Sequence, residues 1–208
     1  GATRVDGMPV LGLGTWQNED PETCASAVER ALEMGYRHVD TAQAYGNEAA
    51  VGDGLARADV PREDVFLATK VWIDQLAHDD VLASTEESLD RLGVDRLDLL
   101  YVHWPAGAYD VEDTLAAFDE LYDEGKIARV GVSNFLPEQV DTAVDVLDAP
   151  LFANQVELHP LLPQTALRER CETQDVEVVA YSPLARGAVT EVPEIRAVAE
   201  RSEEHTSE

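Results

Sequence analysis

Asp40, Tyr45, Lys70 and His103 are the residues around which a reaction can be built. Asp40, Lys70 and His103 stand at or near the ends of three short apolar runs, 36–41, 66–71 and 97–103. Tyr45 follows Asp40 by five residues, in the loop Gln43-Ala44-Tyr45-Gly46-Asn47. Taken singly, each has an ordinary explanation. An aspartate at a strand end is usually a helix cap, and a lone histidine is usually a satisfied structural residue. The lysine is harder to dismiss, because Lys70 is one of only two lysines in the chain. An ammonium at the end of an apolar strand is costly without a partner.

Together the four suit one chemistry. Hydride delivery to a carbonyl carbon builds negative charge on oxygen, which a nearby acid must neutralise. Tyrosine is a weak acid, with a reference pKa of about 10. A neighbouring ammonium favours its phenolate, and a carboxylate can hold that ammonium in place. On this reading Tyr45 is the acid, Lys70 its partner, Asp40 the anchor and His103 the donor that orients the carbonyl.

The elements that must position these groups alternate strictly. Strand-like runs at 10–15, 36–41, 66–71, 97–103, 128–133, 153–157 and 176–182 are separated by amphipathic helical patterns. Asp20 and Pro21 open the first helix, whose apolar stripe is Cys24, Ala27, Val28, Ala31 and Leu32, and Gly35 ends it. A second helix over 80–92 carries Val81, Leu82, Leu89 and Leu92 and closes at Gly93. Leu115, Phe118, Leu121 and Tyr122 form a third stripe before Gly125, and Val140, Ala143, Val144 and Leu147 a fourth after Pro137. Strand–helix alternation predicts parallel strands with crossover helices, and near-continuous apolar strands predict cover on both faces. The first strand leads into Gly12-Leu13-Gly14-Thr15-Trp16, which lacks the third glycine of a dinucleotide-binding open sheet. A (β/α)8 barrel is therefore expected, in which catalytic groups gather at the C-terminal ends of the strands.

Seven strands are visible where a barrel has eight, and complete barrels take about 250 residues. The expectation is an incomplete barrel over 1–200 that lacks its last strand and helix. The terminal octet Arg-Ser-Glu-Glu-His-Thr-Ser-Glu, 201–208, is expected to be a non-native tail resembling a translated sequencing adapter.

Composition excludes several functions. Asp and Glu number 42 against 15 Lys and Arg, a net charge of −27 over 208 residues. Such a surface repels phosphate, so nucleic acid is not an expected partner. The acids are spread through amphipathic segments, as in a folded protein of a salt-loaded cytoplasm and unlike a disordered tail. No apolar run approaches the roughly 18 residues of a membrane span, and no secretory leader is visible. Cys24 and Cys171 suit free thiols in a reducing cytoplasm, and neither suggests a metal site.

Several blocks then resemble one family. Gly35-Tyr36-Arg37-His38-Val39-Asp40-Thr41-Ala42, followed by Tyr45, Glu48 and Gly52, is similar to the first aldo-keto reductase signature. His103-Trp104-Pro105, Gly131-Val132-Ser133-Asn134-Phe135, Asn154-Gln155-Val156-Glu157-Leu158-His159-Pro160 and Ala180-Tyr181-Ser182-Pro183-Leu184 resemble later blocks, in order. The resemblance runs from about residue 5 to about residue 190. Within it the chain is most like small prokaryotic aldehyde and 2,5-diketogluconate reductases.

The resemblance implies an NADPH-dependent reductase of small carbonyl compounds, with NADH not excluded. It makes Asp40, Tyr45, Lys70 and His103 the catalytic tetrad. Ser133, Asn134 and Gln155 would hold the nicotinamide carboxamide, and Tyr181 would stack on the ring. Ser182 and Leu184 would lie along the pyrophosphate, with Gly14 and Thr15 near the cofactor. Trp16 would face substrate, and Trp72 and Trp104, which also follow strands, would line the same pocket beside His103. The block that clasps the adenosine 2′-phosphate is not found, and Ala128 replaces a usual basic or amide residue. A non-catalytic, cofactor-sensing subunit on the same fold is the alternative, as is an inactive fragment.

Overall fold

The computed structural model describes residues 3–181. Seven parallel strands pair in chain order as a curled sheet: β3 (Leu13–Gly14), β4 (His38–Asp40), β5 (Phe66–Val71), β6 (Leu99–Val102), β7 (Val130–Ser133), β8 (Leu151–Glu157) and β9 (Glu177–Tyr181). Among the described residues six helices cross from strand to strand on the outside, one after each strand from β3 to β8. They are α1 (Pro21–Glu33), α2 (Glu48–Arg57), α3 (His78–Leu92), α4 (Val111–Asp123), α5 (Pro137–Val146) and α6 (Thr165–Thr173). The expected α/β barrel architecture is thus present through its seventh strand.

The two-residue period of the strands divides the core in two. Val39, Leu67, Val71, Leu100, Val102, Val130 and Val132 point outward into the main cluster beneath the helices. Phe66, Ala68, Leu99, Tyr101 and Ala153 point inward and fill the barrel. Burial of each such aliphatic or aromatic side chain contributes about 1.5–3 kcal/mol, so both faces of the central strands are held. Inside the barrel, Gly131 is required by its neighbour. A Cβ there would stand 2.6 Å from the Tyr101 ring.

Helix ends follow their sequence signals. Asp20 accepts a hydrogen bond from the Thr23 N–H at 2.7 Å, and Asp110 caps α4 through Glu112 and Asp113. Gly93 closes α3 in the left-handed region at φ 68°.

Other expectations need correction. The first strand is only Leu13–Gly14, because Val10 and Leu11 are 57% and 73% exposed. Their aliphatic character signalled a strand, but neither joins the barrel sheet, and the Val10 N–H goes to the Thr3 carbonyl at 3.0 Å instead. On α1 it is Ala25 that is fully buried, and Ala27 only in part. Two helices carried too weak an apolar pattern to be read, α2 with two glycines and α6 with mostly polar residues. The glycines of α2 answer to packing: a Cβ at Gly54 would lie 2.6 Å from the Ala25 carbonyl of α1.

A hairpin of β1 (Arg4–Val5) and β2 (Met8–Pro9), turned at Asp6-Gly7, precedes the sheet. Its Met8 joins the inner cluster. The Arg129 guanidinium lies 5.2 Å from the rings of both Phe66 and Phe152 and donates to the Asp6 carbonyl at 2.7 Å. The N-terminal end of the barrel is thereby covered. Among the described residues no helix is long and apolar enough to cross a membrane. The tail 201–208 lies outside the described residues.

Candidate active site

Parallel register carries the polar residues to one end of the barrel. Asp40 ends β4, Lys70 is next to last in β5, His103 follows β6, Ser133 ends β7, and Tyr181 ends β9. Register pairs Gly14 with Asp40 and Ser133 with Gln155. Tyr45 closes a short 3-10 turn, Gln43–Tyr45, which ends at Gly46 in the left-handed region.

Lys70 is the centre of this end. Its side chain is 1% exposed, and its ammonium donates to the Asp40 carboxylate, to the Thr41 carbonyl at 3.0 Å and to the Tyr45 hydroxyl at 3.5 Å. The Tyr45 ring lies 5.3 Å from that nitrogen, and the Tyr101 ring 5.6 Å from it. Gln155 donates to the other Asp40 oxygen at 2.8 Å. The buried charge is therefore paired and hydrogen-bonded, the condition on which such a residue is tolerated. Tyr101 was missed in the sequence, although it precedes His103 by two residues and so shares its face. Burial, and then the Asp40 charge, push its hydroxyl well above the usual tyrosine range.

His103 packs edge-on against Tyr45, with ring centres 5.9 Å apart, and against Trp72 at 5.1 Å. Burial first, and the Lys70 charge second, lower its imidazole to about 4. It is neutral near pH 7. Its Nδ1 is buried with no hydrogen-bond partner among the described residues, which leaves Nε2 to meet a ligand.

This shift carries a stability consequence. Between pH 6.5 and about 4 the unfolded chain binds a proton that folded His103 refuses. Stability is complete above that window and declines as pH falls through it, by about 3 kcal/mol in all. Buried His38 is lowered too, and acts in the same direction. Denaturation midpoints measured from pH 7 to 4 are expected to fall less in a His103→Gln variant than in the parent. Parallel curves would refute the shift.

A second constellation stands beside the first. Asn134 adopts φ 62°, its N–H reaches the Gln155 carbonyl at 2.9 Å, and its side-chain amide donates to the His103 carbonyl and to Ser133 Oγ. Ser133 donates to the Gln155 carbonyl at 2.8 Å, and the Tyr181 hydroxyl donates to Asn134 Oδ1 at 2.6 Å. Ser133, Asn134, Gln155 and Tyr181 are thus brought together next to Asp40. Trp16 and Trp104 are 49% and 42% exposed at the same rim. Gly14 is exposed, whereas the Thr15 side chain turns inward to Thr41 at 2.9 Å. Ser182 and Leu184 lie outside the described residues.

A buried lysine–aspartate pair beneath a tyrosine, at the C-terminal mouth of a parallel α/β barrel, defines a class of oxidoreductases acting on small carbonyl compounds. The profile of the Aldo/keto reductase family matches residues 10–207, and the chain belongs to that family. It is 44% identical over 195 residues to an aldo-keto reductase of Mycolicibacterium smegmatis, covering 93% of this chain and 70% of that protein. It is 38% identical over 194 residues to the glyoxal reductase of Bacillus subtilis, with the same coverage of 93% and 70%. Among solved structures, the Bombyx mori aldo-keto reductase in complex with NADP superimposes with a TM-score of 0.86 at 32% identity, over 94% of this chain and 73% of that one.

Proposed function

We propose that this chain reduces aldehydes and ketones to alcohols with NADPH, Tyr45 giving the proton to the carbonyl oxygen. One observation carries the reading: a fully buried ammonium bonded at once to Asp40, the Thr41 carbonyl and the Tyr45 hydroxyl, facing a neutral histidine. When bound, the reduced nicotinamide supplies the hydride. Tyr45 donates to the oxygen on which charge develops, and the Lys70 cation stabilises the phenolate left behind. His103, neutral, donates from Nε2 and orients the carbonyl. Trp16, Trp72 and Trp104 supply the apolar wall that excludes water.

The second constellation fits a carboxamide. Both amide protons of Asn134 are already used, so it meets a ligand only as an acceptor, which suits an amide N–H. Ser133 and Gln155 flank it, and Tyr181 offers a ring of the size of the nicotinamide. The NADP complex of the Bombyx mori relative supports this cofactor, and the Bacillus subtilis glyoxal reductase supports a small aldehyde as substrate. The test is consumption of NADPH, or of NADH as its competitor, on addition of a panel of aldehydes. Cofactor binding with no turnover of any of them would favour a cofactor-sensing subunit instead.

The same proposal places the protein in a salt-rich cytoplasm. At −27 the net repulsion is large, and it is screened when the Debye length shrinks from about 10 Å at 0.1 M salt to about 3 Å at 1 M. Exposed pairs such as Arg57–Glu22 and Arg170–Asp141 weaken under the same screening, but surface pairs of this kind contribute little to stability. Relief of repulsion should win. The melting temperature is expected to rise by roughly 10 °C between low and molar KCl, a few kcal/mol at this chain length. A flat profile would remove the halophilic reading.

A further inference from the structure

We propose that Gln43 and Asn47, placed two residues before and two after Tyr45, are positioning residues that fix the acid relative to the tryptophan walls of the cleft. They thereby set the size of carbonyl substrate accepted, a role that rests on the reductase reading above.

The turn that carries Tyr45 is short and has no side-chain cap of its own. It is held by two amides instead. On one side Gln43 Oε1 accepts the backbone N–H of Trp72 at 3.0 Å, while Nε2 donates to Ser88 Oγ at 3.2 Å and to the Ser84 carbonyl at 3.4 Å. Ser88 donates in turn to Glu48 at 3.2 Å. Glu48 is a buried carboxylate that also receives Thr69 Oγ1 at 2.8 Å and Arg91 Nε at 3.2 Å. Gln43 therefore ties the acid turn to the backbone of one wall and to a charged anchor between α2, α3 and β5.

On the other side Asn47 is 5% exposed and donates to the Thr15 carbonyl at 2.8 Å and the Asn18 carbonyl at 3.2 Å. These two residues bracket Trp16. Asn47 Oδ1 accepts from Thr41 Oγ1 at 3.0 Å, and Thr41 accepts from Thr15 Oγ1 at 2.9 Å. The acid, Trp72 and Trp16 thus share one hydrogen-bonded frame. Loosening either amide lets a wall move independently of the acid.

The test compares the wild type with Gln43→Leu and Ser88→Ala, using NADPH with propionaldehyde and with benzaldehyde. Gln43→Leu keeps the bulk of the side chain and removes its three hydrogen bonds. Its kcat on propionaldehyde is expected to fall about tenfold to a hundredfold, as misplacement of a reacting group requires. KM and NADPH affinity should change less than about threefold, because the cofactor contacts are untouched. The propionaldehyde-to-benzaldehyde ratio of kcat/KM should fall as the cleft loses its fixed width. Ser88→Ala, remote from the mouth, should move all these quantities the same way by a smaller amount. Hydrogen exchange at the Trp72 amide should accelerate about tenfold or more in Gln43→Leu. Unchanged kcat, ratio and exchange would overturn the proposal. A wild type that reduces neither aldehyde overturns the reductase reading instead, and Trp72 exchange then decides alone whether Gln43 holds the wall.

Discussion

Replacing Tyr45 with phenylalanine is expected to lower carbonyl reduction by about a thousandfold, within the range of about 10²–10⁴ that a positioned acid supplies. Cofactor binding should remain within a few fold. The substitution removes one oxygen and little else. Lys70 keeps Asp40 and the Thr41 carbonyl, and the ring keeps its edge contact with His103. The remaining candidate, His103, is neutral down to about pH 4, and a neutral imidazole is a much weaker acid than a phenol. Single-turnover rates with NADPH and an aldehyde, beside a fluorescence titration of NADPH alone, separate the two effects. Reduction within tenfold of the parent would remove Tyr45 from the mechanism.

The site was more legible in the sequence than the framework around it. Asp40, Lys70 and His103 could be placed because a charged or polar residue ending an apolar run is conspicuous, and parallel strands bring such ends together. Caps at Asp20 and Gly93 were legible because each satisfies a local backbone requirement. The parts that escaped are those whose causes are not local. Gly52 and Gly54 weaken the helical pattern of α2, and their reason is the backbone of α3 and α1 lying against them. Gln43 and Asn47 are ordinary turn residues until Trp72 and Thr15 are seen beside them. The N-terminal hairpin did leave a signal, the Asp6-Gly7 pair with φ 45° and 88°, a combination that two-residue hairpin turns favour. The strands on either side are only two residues long, so hydrophobic alternation had nothing to display.

The second large effect concerns Lys70→Met, which should cost both activity and stability. Its side chain is 1% exposed, and its ammonium is the cation that neutralises Asp40. With it gone, the carboxylate keeps the Gln155 amide but loses its ammonium partner. Breaking one half of a buried pair costs about 3–5 kcal/mol, against a whole-domain stability of about 5–15 kcal/mol. The fall has a specific cause, so it should be reversible. Adding Asp40→Asn to Lys70→Met removes the stranded charge and is expected to restore most of the denaturation midpoint. Turnover should not return, because the phenolate of Tyr45 still lacks its cation. A double variant no more stable than Lys70→Met, measured by urea denaturation, would show that the pair is not what holds this end of the barrel together.

The placement of the tryptophans has an optical consequence. The chain has three, Trp16, Trp72 and Trp104, and each follows a strand at the C-terminal mouth. Indole emission from this protein is therefore a gauge of the rim alone, while the end stapled by Arg129 and Met8 carries no indole. A melt followed by indole emission reports the loosening of the mouth, and one followed by peptide circular dichroism reports the loss of strands and helices. The interval between the two curves measures how far the rim moves independently of the barrel beneath it. Indole emission overlaps in energy with the absorption of a reduced nicotinamide, so if the proposed cofactor binds at the rim, excitation passing to it would read occupancy directly, with no label attached.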